Sequence, residues 1–253
     1  MIDFKLKYIR LLKRFYNYAL SLLYWLNPSG PKVYLFHAIV EDIKLVNNEY
    51  IISETSFNKF LNQQLAYGAQ PLHLHEIEES LEGEDKNSAG RFAITFDDVY
   101  ESFFTRAYPI LKTLKIPFIL FIAVELLDEP DYLTREQLLI LSEDPLCTIG
   151  SHGYHHTVFR QLSPARVETE LIESKKFLEN LINRPVEAFA FPYGTVVTVS
   201  ARNVRQLSKS VYKFGFSAIP GSLNQQWFTS RFFLPRINVD EEIIAINSIK
   251  RFC

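Results

Sequence analysis

The alternation of short apolar runs with helical patterns, from Lys32 to the C-terminus, most constrains the fold of this chain. Runs such as 92–97 and 117–122 have the length and residue types of buried strands, and amphipathic stretches separate them. Strands and helices that alternate over roughly 220 residues produce a parallel sheet with helices outside it. The number of units suits a closed sheet, so we predict an α/β fold, a distorted (β/α) barrel of about seven parallel strands.

The individual elements follow from apolar periodicity and from capping residues. The predicted strands are 33–37, 70–74, 92–97, 117–122, 147–151, 188–192, 214–218 and 232–237. The predicted helices begin at Ser56, cover 75–82, 100–114 and 134–142, follow the cap Ser163, cover 200–210 and start again near Asp240. With 253 residues, 47% of them hydrophobic, the chain is long enough to form one large domain, which we assign to 30–253.

Residues 1–29 differ in character and are predicted as a separate N-terminal amphipathic helix. Residues 1–27 contain five basic residues and one acidic residue, whereas the remainder has 22 basic and 28 acidic residues. The favoured interpretation is a basic helix on an anionic membrane surface, with the protein at the cytoplasmic face. A secretory signal, which would send the protein to the envelope or exterior, and an ordinary helix packed on the domain remain alternatives.

The overall composition excludes several classes of partner. The net charge of -2 indicates no nucleic-acid partner, and the absence of a Gly-rich phosphate loop indicates no nucleotide. The two cysteines, Cys147 and Cys253, make no disulfide framework.

Polar and titratable residues collect at the carboxyl ends of the predicted strands, where parallel barrels carry their chemistry. His37 ends the first strand, and Asp97 and Asp98 end the strand 92–97. The segment 151–156 follows another strand end and contains three of the six histidines. A buried strand that ends in two carboxylates is costly unless a cation or hydrogen-bond donors meet them, although the acids could also simply begin a turn.

The spacing of two of these histidines indicates a metal site. His152 and His156 are four residues apart, which places two imidazole rings on one face of a helical turn. A carboxylate from Asp98 would complete a facial set that leaves positions open for water and substrate. We predict one divalent ion, for which zinc is favoured and cobalt, nickel or iron also fit. His155 points off this face and is predicted to be a bystander.

Three segments together resemble the motifs of the polysaccharide deacetylases, the NodB-homology or carbohydrate esterase 4 family. Thr95-Phe96-Asp97-Asp98 resembles the first motif, and Ser151 to His156 resembles the second. Phe191-Pro192-Tyr193-Gly194 resembles a variant of the third. The resemblance implies a distorted (β/α) barrel and metal-dependent hydrolysis of N-acetyl or O-acetyl groups on sugars. It also implies that Asp97 is the base and that Asp98, His152 and His156 bind the metal.

The chain departs from the family pattern at three places. Val99 stands where the family usually has Gly, and Phe191 stands where it usually has the Arg that orients the catalytic Asp. Arg236 is our candidate to replace that Arg. No histidine follows His156, but Leu35-Phe36-His37 has the form of the family's late Leu-x-His motif. This arrangement resembles the circularly permuted branch, which includes the poly-N-acetylglucosamine deacetylases of biofilm and cell-envelope systems.

These expectations combine into a hydrolase that acts on an acetylated glycan. Asp97 takes a proton from the attacking water, which the metal makes more acidic, and His37 protonates the leaving amine. By resemblance, the backbone N–H of Tyr193, after Pro192, meets the oxyanion. Leu35 and Trp227 are predicted to line the acetyl and sugar site, although Trp227 equally fits ordinary packing.

Two other functions remain open at this point. The altered third motif would suit a carbohydrate-binding pseudoenzyme that has kept the metal site. The same barrel would also suit a hydrolase of a small amide that is not a sugar.

Overall fold

The computed structural model describes residues 30–41, 50–81, 90–223, 230–241 and 244. The helix predicted within 1–29 and Trp227 lie outside the described residues. Within the described ranges, no helix combines the length and the apolar composition needed to cross a bilayer.

Ten strands and six α-helices alternate along the described chain. The strands are Lys32–Phe36 (β1), Ala38–Val40 (β2), Ile51–Ser53 (β3), Gln70–Pro71 (β4), Arg91–Asp97 (β5), Phe118–Ile122 (β6), Cys147–Ser151 (β7), Ala188–Ala190 (β8), Phe214–Phe216 (β9) and Ile237–Asn238 (β10). The helices are Glu54–Ala66 (α1), Leu74–Leu81 (α2), Tyr108–Leu114 (α3), Arg135–Ser142 (α4), Pro164–Ile182 (α5) and Ala201–Ser208 (α6).

The main sheet is parallel throughout and runs in the order β10-β1-β5-β6-β7-β8-β9, with β4 paired to the start of β5. Its two edges meet through one segment of chain. Leu234 pairs with Phe216 of β9, and three residues later Ile237 pairs with Tyr34 of β1. The sheet therefore curls into a distorted (β/α) barrel, as predicted. The single strand predicted at 232–237 is wrong in extent, because only a bridge at Leu234 and the short β10 form.

Side-chain alternation divides the core into two layers. In β5, Phe92, Ile94 and Phe96 face the helices, whereas Ala93 faces the barrel interior. Leu74 and Ile77 of α2 fill the interior at the amino-terminal end of the barrel, where they pack with inward-facing residues of the strands. At the carboxyl end of β5 the inward position is Asp97, which lies in register with the inward-facing Phe121 of β6.

The helices follow their sequence signals except in two regions. The prediction that the first helix begins at Ser56 is wrong, because α1 begins at Glu54 and its cap is Ser53, which accepts the Ser56 N–H at 3.1 Å. Ser163 caps α5 with its hydroxyl, as predicted, Pro164 occupies the first turn, and Val167, Leu171 and Leu178 are buried. The predicted helix 100–114 forms over 101–114, but it contains a π turn over Phe103–Ala107 before α3. Pro109 has no N–H to donate to the carbonyl four residues before it, which favours a wider turn at this point.

A second, small sheet that was not predicted lies at the mouth of the barrel. In it, β2 and β3 pair in parallel, and the Ala38 N–H also donates to the carbonyl of Tyr50. The Ile39 N–H donates to Ser102 Oγ at 3.2 Å. These contacts fix the backbone directly after His37, so the chain leaves the barrel at that residue in a defined direction.

Candidate metal-binding active site

Two adjacent carboxylates face the same side of the structure because the chain turns sharply at the end of β5. The backbone is left-handed at Asp98 and at Val99, with φ of 62° and 54°, and the Val99 N–H donates to the Asp97 carbonyl at 2.6 Å. Neighbouring residues of a strand would point to opposite faces. The turn instead brings both acids to the mouth of the barrel.

Asp98, His152 and His156 come together at this mouth, as the sequence predicts. One ligand atom from each lies within 4.8 Å of the other two. Asp98 Oδ1 is 3.0 Å from His156 Nε2 and 3.6 Å from His152 Nε2. A carboxylate and two imidazoles at such separations form a possible site for a divalent cation.

The ring of His152 is held in one orientation by the backbone. Its Nδ1 lies 2.8 Å from the Ala190 carbonyl, to which it donates, so Nε2 carries the lone pair and faces the acids. Burial lowers the pKa of His152 to about 4, against the opposing charges of Asp97 and Asp98, so the ring is neutral at pH 7. A buried neutral imidazole with its free nitrogen aimed at two carboxylates is suited to bind a metal.

The carboxylates of the site stay ionised although they are buried. For Asp98, burial would raise the pKa, but the contact with His156 and the charges of His152 and His156 bring it below its ordinary value. For His156, burial lowers the pKa, but the hydrogen bond with Asp98 and the charge of Asp98 raise it by more. The net shift of the His156 pKa is therefore upward. This concentration of negative charge is typical of a cation site.

Arg236 meets Asp97 inside the barrel. Its Nη1 and Nη2 donate to Asp97 Oδ1 and Oδ2 at 2.6 and 2.7 Å, and its Nε donates to the Ser217 carbonyl at 2.7 Å. The guanidinium also lies over the ring of Phe121, at 5.2 Å from its centroid. Burial would raise the pKa of Asp97, but the charges of Arg236 and His152 and the hydrogen bonds from Arg236 lower it.

The interpretation of Phe191 needs a correction. Phe191 is buried on the outer face of the sheet, where its ring contacts those of Phe159, Phe189 and Phe233. A side chain at position 191 points away from Asp97, so even an arginine there would not reach the carboxylate. The inward position of this segment is Ala190, the last residue of β8.

His37 lies at the junction of β1 and β2, beside the acids. Burial holds the pKa of His37 below its ordinary value, although the nearby charges of Asp97 and Asp98 act in the opposite direction. Its ring packs edge-on against Tyr50, with centroids 4.8 Å apart. Its Nδ1 is buried and has no hydrogen-bond partner among the described residues.

The predicted substrate-binding residues surround the same mouth, apart from Trp227, which lies outside the described residues. Leu35 is buried and pairs in register with Thr95. Pro192 is buried, whereas Tyr193 has 53% of its surface exposed and packs its ring 4.9 Å from that of His156. No carbonyl of the described residues accepts the Tyr193 N–H.

One residue at the site was missed by the sequence analysis. Glu170 is buried in α5 and accepts hydrogen bonds from the loop that carries His152 and His156. His155, which was predicted to be a bystander, contacts Glu170 Oε1 through Nδ1 at 2.7 Å. A glutamate at an inward position of an amphipathic helix was the available signal, because a buried carboxylate requires partners.

Comparison with known proteins identifies the family. A sequence model described as polysaccharide deacetylase matches residues 84–212, about half of the chain. The chain belongs to the polysaccharide deacetylase family. This assignment confirms the resemblance that the three motifs carry, and the relatives named in this family are carbohydrate deacetylases, which are hydrolases.

Among individual relatives, a putative polysaccharide deacetylase, YxkH of Bacillus subtilis, is 23% identical over 198 residues, 78% of this chain and 68% of that protein. A poly-beta-1,6-N-acetyl-D-glucosamine N-deacetylase of Staphylococcus aureus is 24% identical over 172 residues. Those residues are 63% of this chain and 57% of the staphylococcal protein, so the chain matches little more than half of that relative's length.

Solved structures share the fold at low sequence identity. The Streptococcus pyogenes deacetylase PplD in complex with acetate has a TM-score of 0.75 and 22% identity, covering 87% of this chain and 97% of that one. IcaB from Ammonifex degensii has a TM-score of 0.72 and 21% identity, covering 87% of this chain and 96% of that one.

Proposed function

We propose that this polysaccharide deacetylase family member is a metal-dependent enzyme that removes acetyl groups from an N-acetylated polysaccharide of the cell surface or envelope. The observation that carries the proposal is the contact between two clusters at the barrel mouth. The ion pair of Asp97 with Arg236 lies directly beside the group Asp98, His152 and His156, with His152 Nε2 3.7 Å from Asp97 Oδ2.

The three grouped side chains fit a divalent metal ion by the chemistry of their donor atoms. Asp98, His152 and His156 would hold it, and zinc is favoured because two borderline-soft imidazoles and one carboxylate suit that ion. When bound, such an ion supplies Lewis acidity that makes water a stronger acid and polarises a carbonyl oxygen.

Asp97 is proposed as the general base. It is buried at the mouth, and Arg236 occupies both of its oxygens in one plane, which keeps the carboxylate ionised and limits its rotation. An ionised carboxylate beside the cation site is suited to accept a proton from water that attacks an acetyl carbonyl. The lone pairs not used by Arg236 remain available for that proton.

His37 and Tyr193 are proposed to act on the other atoms of the substrate. His37 lies within the electrostatic influence of both acids, and its unpartnered Nδ1 leaves the ring free to deliver a proton to the leaving nitrogen. The N–H of Tyr193 is available to donate to the developing oxyanion. The exposed ring of Tyr193 offers a flat apolar surface for a sugar, and inward-facing Leu35 would border the acetyl methyl group.

The relatives support an N-acetylated polymer as the substrate class. The staphylococcal relative is named for N-deacetylation of poly-β-1,6-N-acetyl-D-glucosamine, and IcaB shares the fold. The chain has a candidate base in Asp97, an ion-pair partner for it in Arg236, and a candidate cation site. The presence of all three favours catalysis over a pseudoenzyme that only binds sugar. We therefore extend the N-acetyl polysaccharide chemistry to this chain.

The experiment is a measurement of acetate release by the full chain from matched substrates. These are poly-β-1,6-N-acetylglucosamine, short N-acetylglucosamine oligomers, an O-acetylated polysaccharide and a simple amide such as acetamide. We expect release from the N-acetylated sugars, and none from an Asp97→Asn variant. Release from acetamide alone would favour a small-amide hydrolase, and no release from any substrate by the metal-loaded protein would contradict the proposal.

We further propose that residues 1–27 hold the protein on an anionic membrane surface through their basic and apolar faces. Residue 30 lies just before β1, at the end of the barrel opposite the site. Flotation of the full chain, but not of 28–253, with anionic vesicles is expected. Equal flotation of the two would contradict this, and a mature N-terminus after about residue 29 would favour export.

A further inference from the structure

A buried carboxylate from α5 holds the loop that carries both histidine ligands. Glu170 has 1% of its surface exposed, and its Oε2 accepts the backbone N–H groups of Tyr154 and His155 at 2.8 and 3.0 Å. Its Oε1 contacts Nδ1 of His155 at 2.7 Å. One side chain thus satisfies three donors that lie between His152 and His156 in the sequence.

The opposite edge of the same loop is held by backbone hydrogen bonds. The Val124 N–H donates to the Gly153 carbonyl at 3.2 Å, and the Glu125 N–H donates to the Tyr154 carbonyl at 2.9 Å. The carbonyl groups of Gly153 and Tyr154 are therefore fixed by the turn after β6, and the N–H groups of Tyr154 and His155 are fixed by Glu170. Of these two supports, only Glu170 can be removed by replacing a side chain.

The loop needs such support because its backbone is held in unfavourable conformations. His156 has φ of 47°, a left-handed conformation that is unfavourable for a residue with a side chain. Gly153 has φ of 84°, and a Cβ at this position would lie 3.4 Å from Glu170 Oε2. The glycine provides the conformation that brings the loop's N–H groups onto the carboxylate, and hydrogen bonds to a charged acceptor oppose relaxation of the turn.

We infer that Glu170 is a positioning residue for the metal site, acting on His156 and His152 through the backbone of residues 153–155. The inference rests on the proposed function only in taking Asp98, His152 and His156 as the ligands. Glu170 does not join the group that would bind the ion, and it is not a catalytic residue. Without it, we expect the N–H groups of Tyr154 and His155 to lose their partner and His156 to leave its left-handed conformation.

The test measures metal affinity rather than turnover. Zn²⁺ and Co²⁺ dissociation constants are determined for the full chain by competition with a chelator, and the visible spectrum of the Co²⁺ form reports ligand geometry. Glu170→Ala is expected to weaken binding by about 10- to 100-fold, the usual effect of losing a residue that orients metal ligands. Glu168→Ala, an exposed glutamate on the same helix, is the matched control and is expected to leave affinity unchanged.

Two further variants separate positioning from other causes. In Glu170→Gln the amide oxygen can still accept the two N–H groups, and the amide NH₂ can donate to His155 in its other tautomer. This variant is expected to lose less affinity than Glu170→Ala, and it replaces Glu170→Ala if that protein does not fold. Equal losses in both variants would assign the effect to the charge and overturn the positioning role, as would unchanged affinity with only a lower melting temperature of the metal-free protein.

A His156→Ala variant distinguishes failure of this inference from failure of the proposed site. If His156→Ala abolishes binding and neither Glu170 variant changes it, the ligand set stands and the role of Glu170 is wrong. If His156→Ala leaves affinity unchanged, the proposed metal site itself is wrong, and the inference falls with it.

Discussion

Arg236 and Asp97, 139 positions apart in the chain, form a bidentate ion pair with two hydrogen bonds of 2.6 and 2.7 Å. The pair brings together the end of β5 and the segment that joins the two edges of the sheet. Closure of the barrel and orientation of the proposed base therefore depend on the same contact. Arg236 thus contacts Asp97 from outside the third motif, and its replacement of the arginine usual in that motif stays a prediction.

The first prediction concerns the two hydrogen bonds that the Arg236 guanidinium donates to Asp97. In Arg236→Lys the charge remains, but an ammonium group cannot bind both oxygens of Asp97 in one plane. We expect kcat to fall by about 10- to 100-fold, since a small misplacement of the base is costly, while metal content stays the same. Arg231→Lys, in the neighbouring surface pair with Glu78, is the control and should retain kcat. Wild-type kcat in Arg236→Lys would show that the bidentate contact with Asp97 has no role in catalysis.

The second prediction concerns the pH dependence of stability. Because Arg236 lowers the pKa of Asp97, the pair's contribution is fully present above the unfolded pKa of about 3.9 and is lost as pH falls through the folded pKa. In Arg236→Met the buried Asp97 loses its principal partner, so burial raises its pKa and protonation at low pH favours folding. The substitution is expected to cost about 3–5 kcal/mol at pH 7 and clearly less at pH 4. Urea unfolding at both pH values measures this, and a cost that is equal or larger at pH 4 would contradict it.

The third prediction concerns Val99, which stands where the family usually has Gly. Val99 is buried in the core but adopts φ of 54°, which a β-branched residue rarely does. Its packing offsets this strain. We expect Val99→Gly to be more stable than Val99→Ala by about 1 kcal/mol, the reverse of the usual order, because both lose the packing and only glycine relieves the strain. Chemical denaturation compares the two, and a more stable alanine variant would contradict the left-handed turn.

The fourth prediction concerns His37 as general acid. His37→Ala is expected to lower kcat on an N-acetylated sugar by about 10²- to 10⁴-fold with unchanged metal content. The same variant should retain most activity on an aryl acetate ester, whose phenolate leaves without a proton. His75→Ala, which replaces an exposed histidine in the first turn of α2, is the control. Equal losses on both substrates would indicate that His37 binds or orients the substrate and does not protonate the leaving group.

Much of this arrangement could be predicted from the sequence because two simple rules hold along the chain. Apolar runs became parallel strands, and the residues after them met at one end of the barrel, which placed Asp98 beside His152 and His156. The inward position of Arg236 also follows from alternation, since Leu234, two residues earlier, faces the interior.

Other features depend on contacts that no local pattern contains. The sheet of β2 and β3 consists of three-residue strands joined across a long connection, too short to be told from loop by periodicity. Phe191 was misinterpreted because the alternation within 188–192 was not applied to the third motif. Glu170 lies in a helix whose other inward residues are mostly apolar. Its partners, the N–H groups of Tyr154 and His155, become visible only once the loop has folded.

The most direct test of the central claim is acetate release from poly-β-1,6-N-acetylglucosamine by chelator-treated full-length protein before and after one equivalent of Zn²⁺ is restored. We predict no release without metal, recovery on restoration for the wild type, and no recovery for His156→Ala or Asp97→Asn at the same metal concentration. Full activity after chelation, with metal absent by elemental analysis, or wild-type recovery in His156→Ala would contradict the account.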